Sequence, residues 1–115
     1  MGSFKDLIVW KRAEELAFQV YRETRRFPKD ELYGMTSQMR RAAVSVVANI
    51  AEGSGRRNRN ETRQFFNIAI GSLTELEALL GLSKRLELMG EVSFQLLDGL
   101  RKEAGALLGR LYHSL

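Results

Sequence analysis

Apolar residues recur at steps of three and four along four separate stretches of this chain, and a single proline interrupts its 115 residues. That spacing marks one face of an α-helix, and a chain nearly free of proline can keep such helices long. The first stretch runs from about Asp6 to Arg26, with Trp10, Ala13, Ala17, Val20, Thr24 and Phe27 on its stripe. Asp6 is expected to cap it and Pro28 to end it. The second runs from about Met35 or Thr36 to Glu52 and carries Met39, Ala42, Ala43, Val46, Val47 and Ile50. Gly53-Ser54-Gly55 is expected to stop it through a left-handed glycine. The third starts after Asn58, whose spacing to Glu61 resembles a capping box. Phe65, Phe66, Ala69, Leu73, Leu76, Leu80 and Leu86 carry it toward Leu88, with Gly90 closing it. At ~1.5 Å per residue such a helix is about 45 Å long. The fourth runs from about Ser93 to Tyr112 along Leu96, Leu97, Leu100, Ala104, Leu107, Leu108 and Leu111. Its glycines, Gly99, Gly105 and Gly109, each cost about 1 kcal/mol against alanine. They are expected to mark a thin surface where another helix packs closely.

Four amphipathic helices with short connections predict an all-α fold, an antiparallel up-down-up-down four-helix bundle forming one domain over residues 1–115. No sustained alternation of period two points to a strand. The apolar face is wide on the second and third helices, where Val44, Val47, Ile68 and Ile70 extend it beyond a narrow seam. A helix apolar on more than one side must bury the second side somewhere. Self-association and a thick monomer core both satisfy that demand.

Composition removes several chemistries. There is no Cys, which excludes disulfides and thiol catalysis, and the single His is His113. One His cannot build a zinc site alone, and Arg110 stands where a Glu-x-x-His di-iron motif would need Glu. Glu14 with Glu15 and Glu75 with Glu77 point apart on a helix, so neither is an acid/base pair. No metal, no cofactor and no catalytic residue is therefore expected, and the chain is not expected to be an enzyme. Charge breaks every apolar stretch before a membrane span is complete. With no signal segment evident, the expected location is the cytoplasm.

One signal is concentrated. Arg56-Arg57-Asn58-Arg59-Asn60-Glu61-Thr62-Arg63 places four Arg against one Glu, between a glycine turn and a helix start. Helix N-termini attract anions through free N–H groups and the dipole, and arginine forks match phosphate. Cations at that end oppose the dipole, so a purely structural placement is less expected. Residues 1–67 hold 13 basic and 8 acidic residues, or +5, while residues 68–115 hold 5 and 6, or −1. If the first two helices are antiparallel, Arg25, Arg26, Lys29, Arg40 and Arg41 gather at one end of the bundle and the Gly53–Arg63 loop at the other. The run has no interleaved aromatic residues, so sequence-specific single-strand reading is not expected. Binding would be phosphate-driven and strongly salt-dependent.

Four motifs, in order, resemble a known family. They are Phe4-Lys5-Asp6-Leu7-Ile8-Val9-Trp10 with Lys11-Arg12-Ala13, and Tyr33-Gly34-Met35-Thr36-Ser37-Gln38-Met39-Arg40-Arg41-Ala42-Ala43. Then come Asn49-Ile50-Ala51-Glu52-Gly53-Ser54-Gly55-Arg56, and Phe66-Asn67-Ile68-Ala69 with Gly71-Ser72-Leu73-Thr74-Glu75-Leu76-Glu77. The chain resembles the bacterial four-helix bundle proteins, also described as encoded by intervening sequences of large-subunit ribosomal RNA genes. The resemblance implies a bundle assembled as a homopentameric ring. It also implies relatedness to the accessory variability protein of diversity-generating retroelements, which works with nucleic acid and a reverse transcriptase. No enzymatic activity is implied. The family's basic positions fall here on Arg40, Arg41, Arg56 and Arg57, while Arg59 lies in a more variable stretch. Val47 stands where many relatives carry Pro, and Asn58 where Ser is common.

Asn49 and Glu52 lie three apart within an apolar signature. They either face a ring lumen or partner, or fix packing through an arginine pair and a backbone hydrogen bond; the second reading is favoured. The leading expectation is a non-enzymatic ring that binds RNA or DNA through Arg56 and Arg57, supported by Arg40, Arg41, Arg59 and Arg63. Five copies at +4 each carry +20, and repeated weak sites gain from multivalency. The alternative is a protein-interaction scaffold that holds a protein partner and binds no nucleic acid directly.

Overall fold

A computed structural model describes residues 4–115, the side chain of Asp6 excepted. Four helices dominate: α1 (Ile8–Thr24), α2 (Ser37–Ser54), α3 (Arg59–Arg85) and α4 (Glu91–His113). A 3₁₀ turn at Phe4–Asp6 precedes them, and Lys29–Glu31 and Leu32–Thr36 link α1 to α2. There is no strand among the described residues. Each helix packs on its sequence neighbours, and α4 closes the ring against α1, which is the expected up-down-up-down order. The molecule is 43 Å long and 23 by 20 Å across.

The stripes become the core. Ala13, Leu16 and Val20 of α1 meet Met39, Ala43, Val46 and Ile50 of α2, Phe66, Leu73, Leu76 and Leu80 of α3, and Leu97, Ala104 and Leu108 of α4. Burying one such Leu or Val side chain contributes roughly 1.5–3 kcal/mol. Ser83 is fully buried on α3 and gives its hydroxyl to Met39 Sδ at 3.4 Å.

Several boundaries differ from the periodicity, each for a local reason. Leu7, not Asp6, takes the cap position of α1, with no side-chain bond, because the Phe4–Asp6 turn occupies the preceding residues; the Asp6 side chain lies outside those described. Gly53 does not stop α2. The helix continues through Ser54, and Gly55 ends it with φ −86°, an ordinary right-handed conformation. The left-handed residue comes after α3 instead, at Glu87 with φ 61°. Gly90 does not close α3 either; it caps α4, which starts at Glu91, two residues earlier than expected. Of the three α4 glycines, only Gly105 has a neighbour, Leu73, within 4.0 Å of where a Cβ would stand, so no thin surface runs the length of α4. Glu75 and Glu77 interrupt the apolar run of α3, and the helix is still long and apolar enough, by length and composition, to cross a membrane. Its apolar row is spent on the bundle core, where Phe66, Ala69, Leu73, Leu76 and Leu80 are buried.

Candidate nucleic-acid interface

The corner joining α2 to α3 is held at both strands of its backbone. Gly53 is buried because Phe66 lies against it: a Cβ there would stand 2.8 Å from the Phe66 ring and 3.0 Å from Phe65 Cβ. Glycine is required by that close approach, not by a turn. The same residue's carbonyl accepts the buried hydroxyl of Thr62 at 2.9 Å, which ties the end of α2 to the start of α3. Arg56 N–H donates back to the Gly53 carbonyl as well, at 3.2 Å. On the far side, Asn58 Oδ1 accepts the N–H groups of Asn60 at 2.7 Å and Glu61 at 3.3 Å, so Asn caps α3 as its sequence position predicts. Gly55 and Arg56 are thus tied back to α2, and Asn60 and Glu61 to Asn58, with Arg57 between these two anchors.

The four arginines of the run have different fates. Arg56 pairs with Glu52 at 2.9 Å and lies over the Phe65 ring at 4.9 Å. Arg63 donates to the backbone oxygen of Leu115 at 3.2 Å and stacks on Tyr112 at 4.8 Å. Arg57 and Arg59 are exposed and make no ion pair or side-chain hydrogen bond among the described residues. The Arg56–Glu52 pair is exposed and is worth at most about 1 kcal/mol, so a phosphate can displace it.

Arg40 and Arg41 stand fifteen or more residues back along α2, roughly 20 Å away at ~1.5 Å per residue. The six candidate arginines thus divide between the two ends of the bundle and form no continuous stripe. Arg40 is half-buried and serves the fold: it donates to Thr24 Oγ1 at 2.9 Å and to the Tyr21 carbonyl at 3.4 Å, with its guanidinium 4.7 Å from the Tyr21 ring. Arg41 is exposed without a partner among the described residues. Asn49 donates to the Ser45 carbonyl at 2.8 Å and contacts Ser45 Oγ, which in turn meets Ser72 Oγ of α3 at 2.8 Å. That network sits where α2 crosses α3. Glu52 is exposed and faces Arg56.

The arrangement gathers no group of three or more His, Asp or Glu that could hold a metal ion, among the described residues. It offers instead a fixed, cationic helix corner. The sequence signature of the 23S rRNA-intervening sequence proteins matches residues 5–110. The chain belongs to this family. A solved structure from Bacteroides thetaiotaomicron, a protein of unknown function from the S23 ribosomal protein family, shares the fold at a TM-score of 0.82. It is 23% identical over 91% of this chain and 98% of its own. No curated protein matches the chain.

In this member of the family, one contributor to the corner escapes a linear reading. Tyr112 belongs to the half of the chain whose charge is −1, and the last turn of α4 brings it to the basic end. The only local signal was the up-down order itself, which places the end of the fourth helix beside the start of the third. A second surface is a groove between α1 and α2, lined by Ala17, Phe18, Tyr21, Val44 and Val47 and edged by Glu14, Glu15 and Arg25. Phe18 is 56% exposed there and Val44 45%.

Proposed function

We propose that this protein is a non-enzymatic, self-assembling helical bundle of the cytoplasm that binds RNA or DNA through phosphate contacts at the α2–α3 corner. The observation that carries the reading is the pair Arg57 and Arg59, exposed, unpaired and mounted on a fixed helix start. The positive end of the α3 dipole adds to their attraction for an anion. Arg56 and Arg63 support them from positions already braced on aromatic rings. Arg41 provides a secondary contact at the other end, and Arg40 serves the fold. Assembly into a homopentamer, as family resemblance implies, would repeat the corner five times and turn weak phosphate contacts into avid binding. The exposed Phe18, Val44 and Ile68 give such an assembly apolar surface to cover.

Anisotropy of a labelled RNA across a salt series tests this. Each phosphate neutralised contributes about −0.9 to the slope of log K against log salt on a duplex and about −0.7 on a single strand. The Arg57→Gln/Arg59→Gln variant should lower affinity and flatten that slope by about 1.4–1.8. An unchanged slope refutes the assignment. The α1–α2 groove favours a second reading, a scaffold that holds a protein partner through Phe18, Tyr21 and Val44. Under that reading the double variant binds its partner normally and no salt-dependent RNA binding exists.

A further inference from the structure

No aromatic residue lies within the Arg56–Arg63 run, yet the folded corner has two: Phe65 beneath Arg56 and Tyr112 beneath Arg63. Tyr112 arrives from α4, forty-nine positions beyond Arg63 in sequence. Between α3 and α4 lies a pocket of about 370 Å³ lined by Asn60, Arg63, Gln64, Asn67 and Tyr112. Its volume falls within the ~300–1,000 Å³ typical of small-ligand sites. Asn60, Gln64 and Asn67 follow each other at steps of four and three, so their amides form one row on α3. None of the three amides has a hydrogen-bond partner among the described residues. A side-chain amide carries donors and an acceptor side by side, and the edge of a nucleobase presents the same pairing. The Arg63–Tyr112 stack supplies a flat wall already in place, so its ordering cost has been met by the fold.

We infer that this pocket receives one unpaired nucleobase of a single strand whose phosphates lie on Arg57 and Arg59. The base stacks on the Tyr112–Arg63 wall, and the amides of Gln64 and Asn67 hydrogen-bond its edge. Arg59 stands one helical turn from Arg63, about 6 Å along α3, so the phosphate and base positions are neighbours. The inference rests on the phosphate reading above and narrows it: a base locked in a duplex cannot enter, so the partner is single-stranded. It draws on an aromatic ring, Tyr112, that the Arg56–Arg63 run itself does not contain.

The test compares a labelled strand of about ten nucleotides with an abasic strand of the same length, in ribose and deoxyribose forms, by anisotropy at one salt concentration. Wild-type protein should bind the intact strand about five-fold or more tightly than the abasic one, with either sugar. Tyr112→Ala should bring that ratio to about one. Gln64→Ala/Asn67→Ala should reduce it too; both residues are exposed and unpartnered, so this variant keeps the fold. Tyr112→Phe should retain it, since the ring remains. Equal binding of intact and abasic strands, with both weakened by Arg57→Gln/Arg59→Gln, overturns the base pocket and leaves the phosphate reading standing. A base effect that the pocket variants do not alter, or one confined to a single sugar, also overturns it. No binding of either strand overturns both proposals.

Discussion

Replacing Gly53 by alanine sets two known effects against each other at one position. Gly53 lies inside α2 with right-handed backbone, so alanine gains about 1 kcal/mol of helix propensity. The added methyl would stand 2.8 Å from two carbons of the Phe66 ring and 3.0 Å from Phe65 Cβ. Phe66 is 2% exposed and part of the core, so its ring cannot swing into solvent. Overpacking of this kind costs about 1–3 kcal/mol. The net expectation for Gly53→Ala is a loss of up to about 2 kcal/mol. Gly81→Ala is the matched control: it is helical, exposed, and has nothing within 4 Å of the new Cβ. It should gain about 0.5–1 kcal/mol. Urea unfolding reads the contrast. With m near 1–3 kcal/mol/M, a separation of about 2 kcal/mol moves the two midpoints apart by roughly 1 M. Both variants are compared at the same protein concentration, because assembly would add a concentration-dependent contribution. If Gly53→Ala is as stable as Gly81→Ala, the close approach of Phe66 does not explain glycine at the corner.

Arg40→Ala should cost about 1–2 kcal/mol, through lost hydrogen bonds to Thr24 and Tyr21, and leave RNA affinity near wild type; a large fall in affinity with unchanged Tm would contradict its structural assignment. At Asp98, burial raises the carboxyl pKa, but hydrogen bonds and charge from Arg101 and Lys102 outweigh it and leave the group below its ordinary 3.8. Its contribution is thus present above pH 3.8 and is lost as pH falls through the lower folded value, so urea midpoints measured through the acid range should fall less steeply in Asp98→Asn. Val44→Asp, on an exposed helix surface, should change the stability of a monomer by no more than about 0.5 kcal/mol. In light scattering it should dissociate an assembly that buries the α1–α2 groove, and unchanged mass would place the contact elsewhere.

What the sequence revealed and what it hid divide along a physical line. Spacing within one helix is local, so the stripes through Val20 and Leu76, the Asn58 cap and the all-α class were readable. Gly53 was misread because glycine after an apolar run has two physical causes, a left-handed turn and a close crossing. Only the position of Phe66, thirteen residues later, decides between them. Arg40 was counted with the basic candidates because its partners, Thr24 and the Tyr21 carbonyl, lie across the α1–α2 crossing. Tyr112 was missed for the same reason in reverse: it owes its place to helix order, not to any residue near it. Residues whose role depends on a neighbouring helix were the ones that periodicity could not assign.

The signs of the helix dipoles sort the corner arginines further. Arg56 follows the C-terminus of α2, where partial negative charge welcomes a cation, and Glu52 adds a full one. Its position is accounted for by stability alone. Arg63 is braced by Tyr112 and the Leu115 carbonyl oxygen, so it too has an internal use. Arg57 and Arg59 have neither. They flank the N-terminus of α3, where the dipole disfavours positive charge, and no carboxylate among the described residues compensates them. Each cation placed so costs about 0.3–1 kcal/mol of helix stability. An anion bound at that corner would reverse the sign of both contributions at once. Stability therefore gives no account of these two residues, whereas the phosphate-bearing partner proposed above would.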